Sequence, residues 1–143
     1  MKGMTLIVKT ITRLLLGFIF VFSVSIILFG HITPGGGFAG GVMLACVFIL
    51  LVLAFGKKTA LDIVSEKAIS IWDSVGSLSF LEIALLGFFG GFFFKDFFSK
   101  GSPLKLFSGG TILWSNISIG IKVFASLFAA FMALAIFRVR RER

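Results

Sequence analysis

Residues able to carry chemistry are scarce in this sequence. There is one cysteine, one histidine, one asparagine and no glutamine among 143 residues. Cys46 stands alone inside an apolar run, so it can form no intrachain disulfide, and one thiol is not a metal site. One histidine and one cysteine make neither a zinc-ligand set nor a Ser–His–Asp arrangement. The chain is therefore expected to be non-catalytic by itself, with no metal and no cofactor of its own. Depletion of thermolabile residues fits a thermophile. No small-residue cleavage site closes the first apolar run, so no cleaved signal peptide is expected.

Hydrophobic residues fill this gap, at 58% of the chain with a mean hydropathy of +1.12. That is too apolar for a domain that must present polar side chains to water. The fold class expected is all-α integral membrane, a single membrane domain over 1–143 with four transmembrane helices as two hairpins. From Leu14 to Gly56 no charge occurs except the one His31 can take. A single helix of that length would be about 64 Å long, twice the hydrocarbon core, so the run must hold two spans. These are Leu14–Phe29 and Phe38–Phe55. The third span is Val75–Phe94, carrying Glu82, and the fourth about Thr111–Phe137, carrying Lys122. Between spans two and three lies Lys57–Ser74, where Leu61, Val64, Ala68, Ile71, Trp72 and Val75 share one helical face and Asp62, Glu66 and Asp73 lie mostly elsewhere. This predicts a short cytoplasmic interfacial amphipathic helix. Lys95–Gly110, with Pro103, glycines and serines, reads as a surface loop.

The net charge is +8, and the charges lie in the gaps between apolar runs. The expected partner is thus the anionic surface of a lipid bilayer and not nucleic acid. With four spans, one face collects Lys2, Lys9 and Arg13, then Lys57, Lys58 and Lys67, then Arg138, Arg140, Arg141 and Arg143. The other face has Lys95, Lys100 and Lys105. The positive-inside rule then places both termini in the cytoplasm of a multi-pass protein of the cell membrane.

The stretch GHITPGGGFAGG, Gly30 to Gly41, has six glycines between two apolar runs. Pro34 cannot continue a helix and disfavours helical angles at Thr33. Gly35, Gly36 and Gly37 can take the left-handed angles of a tight reversal, so with Gly30 they are expected to form the structural turn between spans one and two. Gly36/Gly40, Gly37/Gly41 and Gly87/Gly91 are also small-xxx-small pairs, which let helix backbones approach in lipid. A glycine-rich loop opening a helix can bind anions. Here no GK[ST] follows at P-loop spacing, and GKKT at Gly56–Thr59 has Leu51 where the first glycine belongs, which excludes nucleotide binding.

Lys122 is the sharpest signal. A lysine that deep costs about 2.5–3.5 kcal/mol on insertion scales and should face protein or water. Ser118 and Ser126 lie within about 80° of it, and with Ser115 they make a polar stripe on an apolar helix. The stripe is either a proton or cation relay or a buried ion pair fastening this helix to another. Glu82 is the obvious partner for Lys122, yet their depths differ by roughly 12 Å at 1.5 Å per residue. Glu82 either meets a partner elsewhere, in another chain, or reaches headgroups or Lys67. A histidine titrates near neutral pH; His31 at a membrane entrance either passes protons or braces the glycine turn.

Two stretches together carry a resemblance. GHITPGGGF after the first span and NISIGIKV inside the last resemble the MnhB-like family of subunits in multisubunit Mrp-type sodium/proton antiporters. The residues concerned are Gly30, His31, Pro34, Gly35, Gly36, Gly37 and Phe38, then Asn116, Gly120, Lys122 and Val123. The resemblance covers essentially the whole chain in length and span count. It implies an accessory subunit beside other Mrp-type antiporter subunits, and similar modules occur in membrane-bound hydrogenases and sulfur-reducing respiratory complexes with peripheral redox subunits. Taken with the residue readings above, Lys122, Glu82, His31, Ser115, Ser118, Ser126 and Asn116 are candidates to line a Na⁺ or H⁺ path in such a subunit. The alternative is a packing subunit of a free-standing antiporter whose polar residues pair across subunit contacts. An independent small channel would need many copies, since one chain offers one short stripe.

Overall fold

The structure is a computed structural model that describes residues 4–56, 62–92 and 109–141. Four helices account for nearly all of them: α1 (Leu6–Leu28), α2 (Gly36–Phe55), α3 (Glu66–Phe89) and α4 (Thr111–Arg141). Each is long and apolar enough to cross a membrane, and there is no strand among the described residues. The number and order of the expected spans are those observed. The predicted loop Lys95–Gly110 lies, but for its last two residues, outside the described residues.

Two helices begin earlier than apolarity alone indicates. α1 starts at Leu6, eight residues before the uncharged run, and takes Lys9 and Arg13 into its first turns. Long cationic side chains can do this because their stems lie along apolar surface while the heads reach the interface. The Arg13 guanidinium lies 5.6 Å from the centre of the Phe55 ring, at the end of α2.

α3 starts at Glu66, nine residues before the expected Val75. Ser65 is its N-cap: the side chain accepts from the Ala68 N–H at 3.2 Å, and Glu66 occupies the first turn, where a carboxylate complements the helix dipole. The stretch Glu66–Ser74, expected within a separate interfacial helix, therefore forms the first turns of a membrane helix. Residues 57–61 of that expected helix lie outside the described residues. At 24 residues α3 is about 36 Å long. Ser65→Ala should cost about 1 kcal/mol, the usual value of a lost N-cap. It would be read as a small fall in the thermal midpoint of the detergent-purified protein, with Ser65→Asp close to wild type.

The helices pack in the order α1, α2, α4, α3: α2 lies against both α1 and α4, while α3 packs on α4. Among membrane helices, packing and backbone proximity take over from the hydrophobic drive, so small residues mark the contacts. Ile27 of α1 is wedged between Gly40 of α2 and Gly120 of α4; a Cβ would stand 2.5 Å from it at Gly40 and 2.8 Å at Gly120. A Cβ at Gly41 would come within 2.7 Å of the Gly120 carbonyl. Nearer the other end, Phe48 of α2 meets Phe124 and Phe128 of α4, with ring centres 5.0 and 5.7 Å apart. Phe128, Val52, Ala125, Met132 and Ile69 form the buried cluster there. The pair Gly87/Gly91 makes no such contact as a pair. Gly87 is buried, but Gly91 lies past the end of α3 at φ +95° with nothing near its missing side chain.

Candidate functional site

Lys122 and its partner are set by the crossing of α3 and α4. Gly76 lies directly on the Lys122 backbone, where a Cβ would be 2.8 Å from the Lys122 nitrogen. This close approach brings Asp73, one turn before Gly76, over the next turn of α4. Lys122 Nζ donates to Asp73 Oδ2 at 2.7 Å, and Ser126 Oγ donates to Asp73 Oδ1. Both carboxylate oxygens are thus satisfied by one face of α4, as a charge inside a membrane span requires. The pair is not sealed: the Lys122 and Asp73 side chains remain 40% and 33% exposed. An open cleft of about 310 Å³ beside it is lined by Glu66, Ile69, Ser70 and Asp73 of α3 and by Ala129, Met132 and Ala133 of α4. It runs from Glu66, in the first turn of α3, to Asp73.

The second polar cluster is the glycine turn. Gly35 and Gly36 have φ of +125° and +64°, the left-handed angles expected of them. The turn is held by the Ile32 and Thr33 N–H groups donating to the Phe29 carbonyl, which also accepts from Thr33 Oγ1. Gly37 serves close approach instead: a Cβ there would overlap the Asn116 carbonyl oxygen. Its N–H donates to Asn116 Oδ1 at 3.3 Å, so the turn and the start of α2 are pinned to α4. Gly30 closes the same contact, with Gly36 and the Asn116 amide around the place a Cβ would take. The His31 ring packs against Gly109, just before α4.

The structure therefore divides the expected site residues into three places. Lys122 and Ser126 meet Asp73. His31 and Asn116 gather with Gly30, Pro34, Gly35, Gly36 and Gly37 at the turn. Ser118, buried and donating to the Trp114 carbonyl, lies on α4 between the two, and half-buried Ser115 sits just before Asn116. Asn116 and Lys122 are six residues apart, about 9 Å along the axis. Glu82 joins neither cluster. It is exposed, nine residues after Asp73, hence about 180° around α3 from it. Because α3 begins at Glu66, Glu82 lies about 24 Å along the helix, not the 10 Å that a start at Val75 implies. Glu82 is separated from the Lys122 pair by about 14 Å along α3, in the reverse of the expected order: Lys122, paired with Asp73, lies nearer the Glu66 end and Glu82 farther from it.

Asp73 is the candidate site residue that hydropathy and periodicity do not select, because they place it on the polar face of a surface helix. Two local signals point to it: the Ser65–Glu66 capping pair, which starts the helix early, and Gly76 three residues on, which marks a close backbone crossing. Among the described residues no group of three His, Cys, Asp or Glu side chains could hold a metal ion.

Comparison with known proteins agrees with the motif resemblance. Residues 7–129 match the family described as a domain related to the MnhB subunit of Na⁺/H⁺ antiporter. An uncharacterised protein of Methanocaldococcus jannaschii is 36% identical over 124 residues, covering 82% of this chain and 47% of that protein. A protein of Staphylococcus saprophyticus, named as the antiporter subunit mnhB2, is 36% identical over 90 residues, 63% of this chain and 64% of that one. Among solved structures, a chain of the membrane-bound sulfane sulfur reductase, an archaeal respiratory membrane complex, superposes with a TM-score of 0.75 at 30% identity, covering 89% of this chain and 56% of that chain. The chain thus spans between about half and two thirds of the length of these relatives. By the extent of the family match, it belongs to the family related to the MnhB subunit of Na⁺/H⁺ antiporters.

Proposed function

We propose that the chain is an accessory membrane subunit of an Mrp-type antiporter module in an ion-pumping respiratory complex of the membrane-bound hydrogenase or sulfur-reducing kind. In this reading the Lys122–Asp73–Ser126 cluster lines part of a Na⁺ or H⁺ path. One observation carries the proposal. A lysine–carboxylate pair inside two membrane helices is partly exposed and its Asp73 lines an open cleft, where a pair serving only as a fastener would be better sealed. An arriving cation competes with the Lys122 ammonium for the Asp73 carboxylate, and Ser126 holds that carboxylate in place while Lys122 swings. Ser118 and Ser115 extend the polar surface toward the turn, where His31 and Asn116 lie. A path that also used Glu82 would have to pass between this chain and a neighbour. The chain itself supplies no catalytic group and no cofactor in this reading; redox chemistry belongs to other subunits.

The second reading has its own observation. α3 packs on α4 and has no comparable contact with α1 or α2. The Lys122–Asp73 pair then fastens an otherwise loosely held helix, in a packing subunit of a free-standing antiporter.

Water access separates the two readings. In a Cys46→Ser background, Ser70→Cys places a thiol in the cleft. The path reading expects it to react with a membrane-impermeant cationic thiosulfonate applied from the cytoplasmic side, and transport by the assembled complex to fall with labelling. A thiol that stays unreactive in an intact complex contradicts the path. The orientation has its own check: with both termini cytoplasmic, cysteines introduced after Gly35 and after Lys100 both label from outside. Labelling of either from the cytoplasmic side overturns the topology.

A further inference from the structure

Glu82 is a carboxylate on the wrong side of its helix. Ile69, Gly76, Ala84 and Gly87 are the buried residues of α3, and Asp73 faces α4 with them. At 100° per residue, Ile71, Val75, Leu78, Glu82 and Phe89 form the opposite stripe. That stripe is open: Leu78 is 65% and Phe89 88% exposed. Glu82 is the single charged residue between Asp73 and Lys95, and seven more residues of helix follow it. Among the described residues no cation pairs with it. A carboxylate embedded in an apolar stripe of a membrane helix is costly against lipid tails, and such residues face protein or water as a rule.

We infer that the outward face of α3, centred on Glu82, is the docking surface for a membrane helix of a different subunit that carries a lysine or arginine at the level of Glu82. The inference rests on reading the chain as one subunit of a larger membrane assembly. Charge complementarity selects the occupant. Lipid would leave the carboxylate without a counter-charge. A second copy of this chain in a two-fold contact over this face would set Glu82 near Glu82, since such a contact joins identical patches, and like charges that close oppose each other. The stripe from Ile71 to Phe89 offers no lysine or arginine to relieve them. A helix with a cation at this level removes the isolated charge, and the leucines on either side give it an apolar seat. The edge position of α3 leaves room for that helix, because α3 packs on the rest of the chain mainly through α4.

The test uses the complete assembly purified from native membranes. A photo-reactive benzoylphenylalanine at Leu78 or Leu86, one turn on either side of Glu82, is irradiated in the membrane. The expected product is a cross-link to another subunit, mapped to a helix with a lysine or arginine within one turn of the linked residue. The charge reversal E82K should then reduce the amount of this chain recovered with the assembly at least tenfold. Glutamate in place of the mapped cation should restore it. Lipid adducts alone, in a complex that still co-purifies, overturn the docking face and leave the assembly reading standing. A cross-link between two copies of this chain overturns the choice of partner, and wild-type recovery of E82K overturns the charge pairing. A chain that purifies with no other subunit overturns the assembly reading and this face with it.

Discussion

Gly37→Val is expected to remove the chain from its assembly. The missing Cβ would overlap the Asn116 carbonyl oxygen and lie 2.9 Å from the adjacent carbon, both backbone atoms of α4. No rotamer change can move backbone, so α2 must withdraw from α4 by roughly an ångström or more. That withdrawal opens the Gly41–Gly120 crossing one turn along and releases the Gly37 N–H from Asn116. Overpacking of side chains against side chains costs about 1–3 kcal/mol, and a backbone clash exceeds it. Gly36→Ala is the graded comparison. There φ is +64° but the nearest atom to a Cβ lies at 3.5 Å, so the cost is mainly backbone strain, about 1 kcal/mol. Recovery of the chain with the purified complex should fall sharply for Gly37→Val and modestly for Gly36→Ala. Equal recovery of Gly37→Val and wild type would mean that the turn is not pinned to α4 as described.

Lys122→Met carries the second large effect. Methionine keeps much of the apolar volume and removes the charge, which strands Asp73 with Ser126 as its one remaining donor. Removing one partner of a fully buried ion pair costs about 3–5 kcal/mol. Side chains 40% and 33% exposed place this pair below that range, since an open cleft lets water or a cation relieve the stranded carboxylate. The single variant is expected to assemble at reduced yield and to lose transport out of proportion to that yield. Asp73→Asn in addition takes away the stranded charge, and the double variant should regain assembly without regaining transport. Assembly that stays as low in the double variant as in Lys122→Met would contradict the pairing.

The parts of the fold that are legible in the sequence are those that composition alone dictates. Four apolar runs long enough to span, separated by charge and glycine, leave little freedom in helix number. The turn is legible for a different reason: Pro34 and consecutive glycines have few uses besides reversal, and positive φ at Gly35 and Gly36 is the outcome. The start of α3 is not legible from hydropathy. Glu66, Lys67 and Asp73 resemble a solvated face; the Ser65 cap and Gly76 hint otherwise for Asp73, but its partner Lys122 lies 49 residues away. The same limit hides the partner of Lys122. Depth counting argues against Glu82, yet the alternative carboxylate reads as a surface residue. Gly37 and Asn116 are each visible as motif residues, but their contact joins positions 79 apart, which no local pattern reports.

On the function proposed, the Lys122–Asp73 pair lies on an ion path and does more than hold α3 to α4. The most direct measurement is ion transport by a purified, reconstituted complex bearing Asp73→Asn together with Lys122→Met, in which neither charge is left unpaired. If the pair lies on the path, the complex assembles and its Na⁺ or H⁺ movement falls at least tenfold, or its pH profile is displaced from that of the parent. An assembled double variant that transports at the parental rate with the parental pH dependence would contradict it, and the pair would then be a fastener between two helices.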